Sequence, residues 1–98
     1  MFEHHAYLRL LPEGSGVSAD EAATALVLAA GGLPGDPRVV IGRPADAHAA
    51  AAWDLALTLV FASEASLEQA TVSPEWAALQ ALIAARSVVA KGWSFRTG

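Results

Sequence analysis

The sequence predicts an α+β fold, a four-stranded antiparallel sheet with helices on one side, in the βαββααβ order of a ferredoxin-like sandwich. Three observations carry this. Residues 53 to 83, WDLALTLVFASEASLEQATVSPEWAALQALI, read as one strand followed by two helices, with a capping residue at each helix start. That strand is apolar on both faces: Trp53, Leu55, Leu57, Leu59 and Phe61 fall on one, and Ala56, Thr58 and Val60 join Asp54 on the other. A strand of this kind is covered on both sides. Finally, 98 residues make one domain spanning 1–98, with too few helices to wrap both faces of a sheet. The missing layer is therefore expected from a second copy of the chain.

The elements follow in order. Phe2 to Leu11 alternates Phe2, His4, Ala6, Leu8 and Leu10 against Glu3, His5, Tyr7, Arg9 and Leu11, a strand that Pro12-Glu13-Gly14-Ser15-Gly16 ends. Ser18-Ala19-Asp20-Glu21 matches a capping box and opens the first helix. The helix is expected to run to a left-handed cap at Gly31-Gly32 and, being apolar nearly all round, to be deeply buried. After the turn cluster Leu33 to Pro37, Arg38-Val39-Val40-Ile41-Gly42 is a short β-branched strand. Arg43 to Ala52 lacks an amphipathic pattern and reads as a loop with one helical turn. The third strand runs from Trp53 to Phe61. Ser63 caps a short helix carrying Ala65, Leu67 and Ala70, and Ser73-Pro74 opens the next, whose buried stripe is Trp76, Leu79, Leu82 and Ile83. Ser87 to Phe95 is the last strand, with Gly92 as its expected bulge.

Composition sets outer bounds. Six Lys and Arg against ten Asp and Glu give a net charge of −4, and no basic run tracks a phosphate backbone, so nucleic acid is not an expected partner. There are no cysteines, hence no disulfides and no thiolate chemistry. No charged leader followed by an apolar run opens the chain, and no apolar stretch reaches the roughly 18 residues of a membrane span. The expectation is a cytoplasmic protein without a membrane partner. Hydrophobic residues make up 54% of the chain, but many are alanine, which buries little area each, so a subunit interface would help to stabilise it.

Beyond pattern, the chain resembles the stress-responsive A/B barrel (Dabb) family of the dimeric α+β barrel proteins over almost its whole length. The resemblance rests on His4 and Leu8-Arg9-Leu10, Gly42-Arg43, Trp53-Asp54-Leu55, Phe61-Ala62-Ser63-Glu64 and Pro74, in that order and spacing. It implies a homodimer in which two sheets pack face to face into a barrel, with Ala56, Thr58, Val60, Tyr7 and Arg9 toward the partner. It also implies a pocket between each sheet and its own helices, which would hold a small apolar or aromatic molecule against His4, Leu8, Leu55, Leu57, Trp76 and Leu79. Some relatives build rings from such dimers, which adds a larger assembly to what is implied. Polyketide cyclases of the family use a strand-one histidine matched by His4. Where they have a second histidine, a tyrosine and a His-Pro-x-His segment, this chain has Leu55, Ala70 and Ser73-Pro74-Glu75-Trp76. The first function implied is therefore small-molecule binding. The alternative is a cofactor-independent enzyme, cyclase-like or monooxygenase-like, with His4 as acid or base.

Each candidate residue also has a structural reading. His4 can titrate near neutrality, or can simply be a buried histidine bonded to a neighbouring carbonyl. His5 points to the opposite face, so the two do not chelate one ion, and His48 with His4 or Glu75 lacks metal-ligand spacing; neither a metal nor a cofactor is expected. Trp53, Trp76 and Trp93 read first as core and second as an aromatic pocket lining. Tyr7 and Arg9 read as interface groups, with Arg9 needing a carboxylate or carbonyl partner. Glu75 is explained by the helix dipole, and Gly14-Ser15-Gly16 lacks the Lys and Ser or Thr of a phosphate loop.

Overall fold

Alternation in the first and third strands fixes which side of the sheet meets the helices. The computed structural model describes residues 1–12 and 18–98. Its elements are β1 (Phe2–Leu10), α1 (Ala19–Gly31), β2 (Arg38–Gly42), α2 (Ala47–Ala52), β3 (Leu55–Phe61), α3 (Glu64–Thr71), α4 (Pro74–Arg86) and β4 (Ser87–Arg96). The four strands form one antiparallel sheet in the order β2-β3-β1-β4. This is the ferredoxin-like α+β architecture that the element order predicts, with α1, α3 and α4 packed on one face. The loop glycines Gly14 and Gly16, with Ser15, lie outside the described residues.

Leu8, Leu55, Leu57, Leu59 and Phe61 share that helix-facing side and are sealed against Ala22, Ala23, Leu26, Ala30, Leu79 and Ile83. Caps set where the helices begin. The hydroxyl oxygens of Ser18, Ser63 and Ser73 accept from the backbone N–H of Glu21, Ser66 and Trp76, each at 3.1 Å. Every one of these serines stands in an extended conformation and satisfies an N–H that the helix cannot.

Several expectations are corrected. The segment before β3 holds more than a single turn: α2 spans six residues, is capped by Asp46 accepting from Ala49 N–H at 2.7 Å, and buries none of its side chains. Its ends stabilise it rather than an apolar face, which is why hydrophobic pattern missed it. The third strand begins at Leu55 rather than Trp53, because the Trp53 N–H is committed to Ala49 O at 2.9 Å. Gly32 caps α1 with φ −88° and not in the left-handed region; the left-handed backbone falls instead at Gly35 (φ 87°) and Asp36 (φ 50°). Gly35 is required there, since a Cβ would lie 2.4 Å from the Ser66 carbonyl oxygen. Burial of α1 is one-sided: Leu28 is 73% exposed. The bulge of β4 lies opposite Arg9 and Leu10, where pairing steps from Val89 to Ser87, and Gly92 pairs regularly with Ala6.

Among the described residues, none of α1, α3 and α4 covers the other side of the sheet, while α2 touches it at Arg9. Directly paired residues share a face in an antiparallel ladder, so Glu3, His5, Tyr7 and Arg9 stand beside Val60, Thr58 and Ala56 of β3 and beside Phe95, Trp93, Lys91 and Val89 of β4. Trp93 is 51% and Phe95 54% exposed, so these aromatic rings are not core.

Candidate functional site

The helix-facing side of β1 and β4 meets α4 only partly, and the gap is a cleft of about 300 Å³ lined by His4, Ala6, Trp76, Gln80, Ile83, Ala90, Lys91 and Gly92. β1 contributes His4 and Ala6 at alternate positions; α4 contributes Trp76, Gln80 and Ile83 at helical spacing. Of the residues expected around the pocket, His4 and Trp76 are at its wall. Leu8, Leu55, Leu57 and Leu79 are 0–1% exposed in the closed core beside it and do not line it. The strand that closes the far side, β4, is the part that sequence reasoning missed. What the sequence lacks is the register: antiparallel pairing of β1 with β4 sets Ser94 opposite His4 and Gly92 opposite Ala6.

His4 is held from two sides. Its Nδ1 and the hydroxyl oxygen of Ser94 share a hydrogen bond of 2.8 Å, rather than one to a carbonyl. The edge of Trp76 meets the imidazole ring at 4.9 Å between centroids with planes inclined by 70°. Nε2 borders Gly92, where an added Cβ would lie 3.1 Å from it. Burial, and secondarily the charge of His5, hold His4 below the ordinary histidine value of 6.5. The neutral ring is thus the form favoured in the fold, which leaves one nitrogen able to accept a proton and the other able to donate one.

His5 belongs to the opposite face. Its Nδ1 lies 3.1 Å from Thr58 Oγ1, its Nε2 lies 3.3 Å from Glu3 Oε1, and its ring meets Phe95 edge-on at 5.9 Å. Tyr7 stands between Trp53 and Trp93, at 5.8 and 6.3 Å. Arg9 finds both kinds of partner that it needs: Nη1 donates to Ala50 O at 2.9 Å and lies 3.5 Å from Asp54 Oδ1. Asp54 in turn accepts from the Leu10 N–H at 2.8 Å, so this trio ties α2 to the end of β1. His48 is exposed on α2 and Glu75 sits in the first turn of α4. Among the described residues, no three His, Asp or Glu side chains gather as metal ligands would, and no helix is long and apolar enough to cross a membrane.

A four-stranded sheet with one helical face and one bare, aromatic face defines a ferredoxin-like α+β protein, and solved structures share that fold across nearly the whole chain. No family model matches the sequence, and no curated protein matches it. In structure, the chain is similar to a Dabb family protein with a ferredoxin-like fold from Mesorhizobium loti, at TM-score 0.79 and 9% identity over 98% of this chain and 95% of that one. It is similar to a dimeric ferredoxin-like protein of unknown function from Thermobifida fusca, at TM-score 0.74 and 20% identity over 98% and 90%. SnoaB, a cofactor-independent oxygenase from Streptomyces nogalater, is similar at TM-score 0.70 and 11% identity over 98% and 91%. The fold that the residues' resemblance implied is the fold observed.

Proposed function

We propose that the chain is a single Dabb-like domain that forms a homodimer through its bare sheet face and binds a small apolar or aromatic molecule in the cleft between sheet and α4. The cleft around His4 carries this reading. It offers apolar walls from Ala6, Ile83 and Ala90, an indole edge from Trp76, and one polar ring, the mixture by which a small-molecule site gains both affinity and orientation. The dimer is supported by the exposed aromatic rings Trp93 and Phe95 beside Tyr7, and by the dimeric description of the Thermobifida fusca protein. A contiguous patch of this kind marks an interaction surface.

Two measurements test it. Native mass spectrometry of the purified protein should give a species of twice the 10.1 kDa chain. Equilibrium dialysis with 1-naphthol as the aromatic probe should show binding that Ala90→Phe, which fills the cleft from β4, weakens by about tenfold or more. Absence of probe binding, or binding that ignores the filled cleft, overturns the site.

A second reading is favoured by the state of His4. A half-buried imidazole kept neutral is suited to take a proton from an acidic carbon or hydroxyl, so the same cleft would serve a cofactor-independent enzyme acting on an aromatic, polyketide-like substrate. On this reading His4→Gln abolishes turnover while the dimer persists; on the binding reading it alters stability and ligand affinity alone.

A further inference from the structure

Along β4 the side chains alternate between two environments. Trp93 and Phe95 lie on the bare face, whereas Gly92 and Ser94 lie opposite Ala6 and His4 on the helix side. Both of the latter touch the same imidazole, one through a hydroxyl and one through a missing side chain.

We propose that Ser94 is a positioning residue for His4: its hydroxyl holds Nδ1, fixing the rotation of the ring and presenting Nε2 to whatever occupies the cleft above Gly92. This rests on the reading of the cleft as a binding site and names the group that sets its polarity. A half-turn of the ring about its Cβ–Cγ bond would place a carbon where Nδ1 stands and forfeit the 2.8 Å hydrogen bond. The Trp76 ring, packed T-shaped with its centroid 4.9 Å from that of the imidazole, narrows the alternatives between these two orientations. Gly92 completes the arrangement, because any Cβ there would stand 3.1 Å from Nε2 and occlude the nitrogen that Ser94 turns outward.

The choice of a hydroxyl matters chemically. A carboxylate in its place would orient the ring equally well but would favour the imidazolium, working against burial. A serine hydroxyl accepts from the charged ring and either accepts from or donates to the neutral one, so it keeps the orientation through titration without adding a charge. The pairing of Nδ1 with a group outside the cleft is also the way in which ligating and catalytic histidines are generally held in one orientation.

Two-bond ¹H–¹⁵N spectra of the imidazoles across the neutral pH range test this, with His4 assigned by its loss in His4→Gln. The wild type should show the His4 ring in a single orientation, read from the nuclear Overhauser contacts of its carbon-bound protons. Ser94→Ala should give contacts from both ring orientations and a lower titration midpoint for His4, because the charged ring loses its acceptor. Ser94→Thr should restore both signatures. An unchanged ring orientation and midpoint for His4 in Ser94→Ala overturns the proposal, as does a change that threonine fails to rescue. The spectra report the hydrogen bond in the ligand-free protein, so a failure of 1-naphthol to bind would reject the binding reading and leave this result standing.

Discussion

The two faces of this one sheet are built from different residues. Around β3 the helix side is apolar and closed, with Leu8, Leu59 and Phe61 fully buried within a single chain, while the bare side carries Tyr7, Trp93 and Phe95 among polar groups such as His5, Glu3 and Thr58. A surface that stays against its own helices needs only apolar volume. A surface that meets water before it meets a partner needs groups tolerable in both settings, and aromatic residues beside a hydrogen-bonded histidine meet that condition. The difference therefore separates what holds the chain together from what would hold two chains together.

That contrast can be broken most forcefully on the closed side. Phe61→Ala removes a fully buried ring from between β3 and the helices and should lower the unfolding free energy by about 3–5 kcal/mol, measured by urea denaturation. A loss under 1 kcal/mol would show that the core collapses around the gap and that the two sides differ less than their burial implies. On the bare side, Trp93→Ala should do the reverse, leaving the fold intact while weakening self-association by about 2 kcal/mol, as truncating a central aromatic does. Sedimentation velocity reads it, and a wild-type chain that stays single at micromolar concentration would remove the contrast's functional half.

The smallest effect sharpens the boundary between the faces. His4 is held below its ordinary value by burial and then by His5 across the strand, while Trp76 and Gln80 from α4 bring no charge to it and Lys91, paired with Tyr7, belongs to the other face. As its folded-state value lies below the unfolded one, the unfolded chain binds the proton first. The stabilisation is complete above the unfolded value of 6.5 and is lost as pH falls from there through the lowered value. The midpoint of urea unfolding should thus fall with pH across that window in the wild type, with a shallower slope in His4→Gln. Equal slopes would mean that His4 is solvated in the native state.

Much of this architecture is legible in the sequence because its signals are local. Three serine caps, Pro74 after Ser73, the β-branched run Arg38–Gly42 and the alternation of Leu55 to Phe61 each arise from residues within a few positions of one another. The departures come where one element is settled by another. Helix α2 depends on Asp46 at one end and on Arg9, more than thirty residues earlier, at the other, so its apolar pattern said nothing. The burial of Leu8, Leu55, Leu57 and Leu79 in closed core, away from the cleft, follows from how deeply α4 and α1 settle on the sheet. Gly92 reads as a bulge from sequence because a glycine within a strand usually marks one; its actual use is to leave room for His4.

By itself, then, the sequence determined the order of the strands and of α1, α3 and α4, and the face of each strand, with His4 on the helix side, since periodicity and capping act over a turn or a pleat. Only the tertiary structure decided that Ser94 and Gly92 meet that histidine and that Trp93 and Phe95 are left uncovered. Those facts depend on the register between β1 and β4, whose paired residues lie about ninety positions apart. Pairing over that separation is chosen by the packing of the whole sheet, which no short window of sequence encodes.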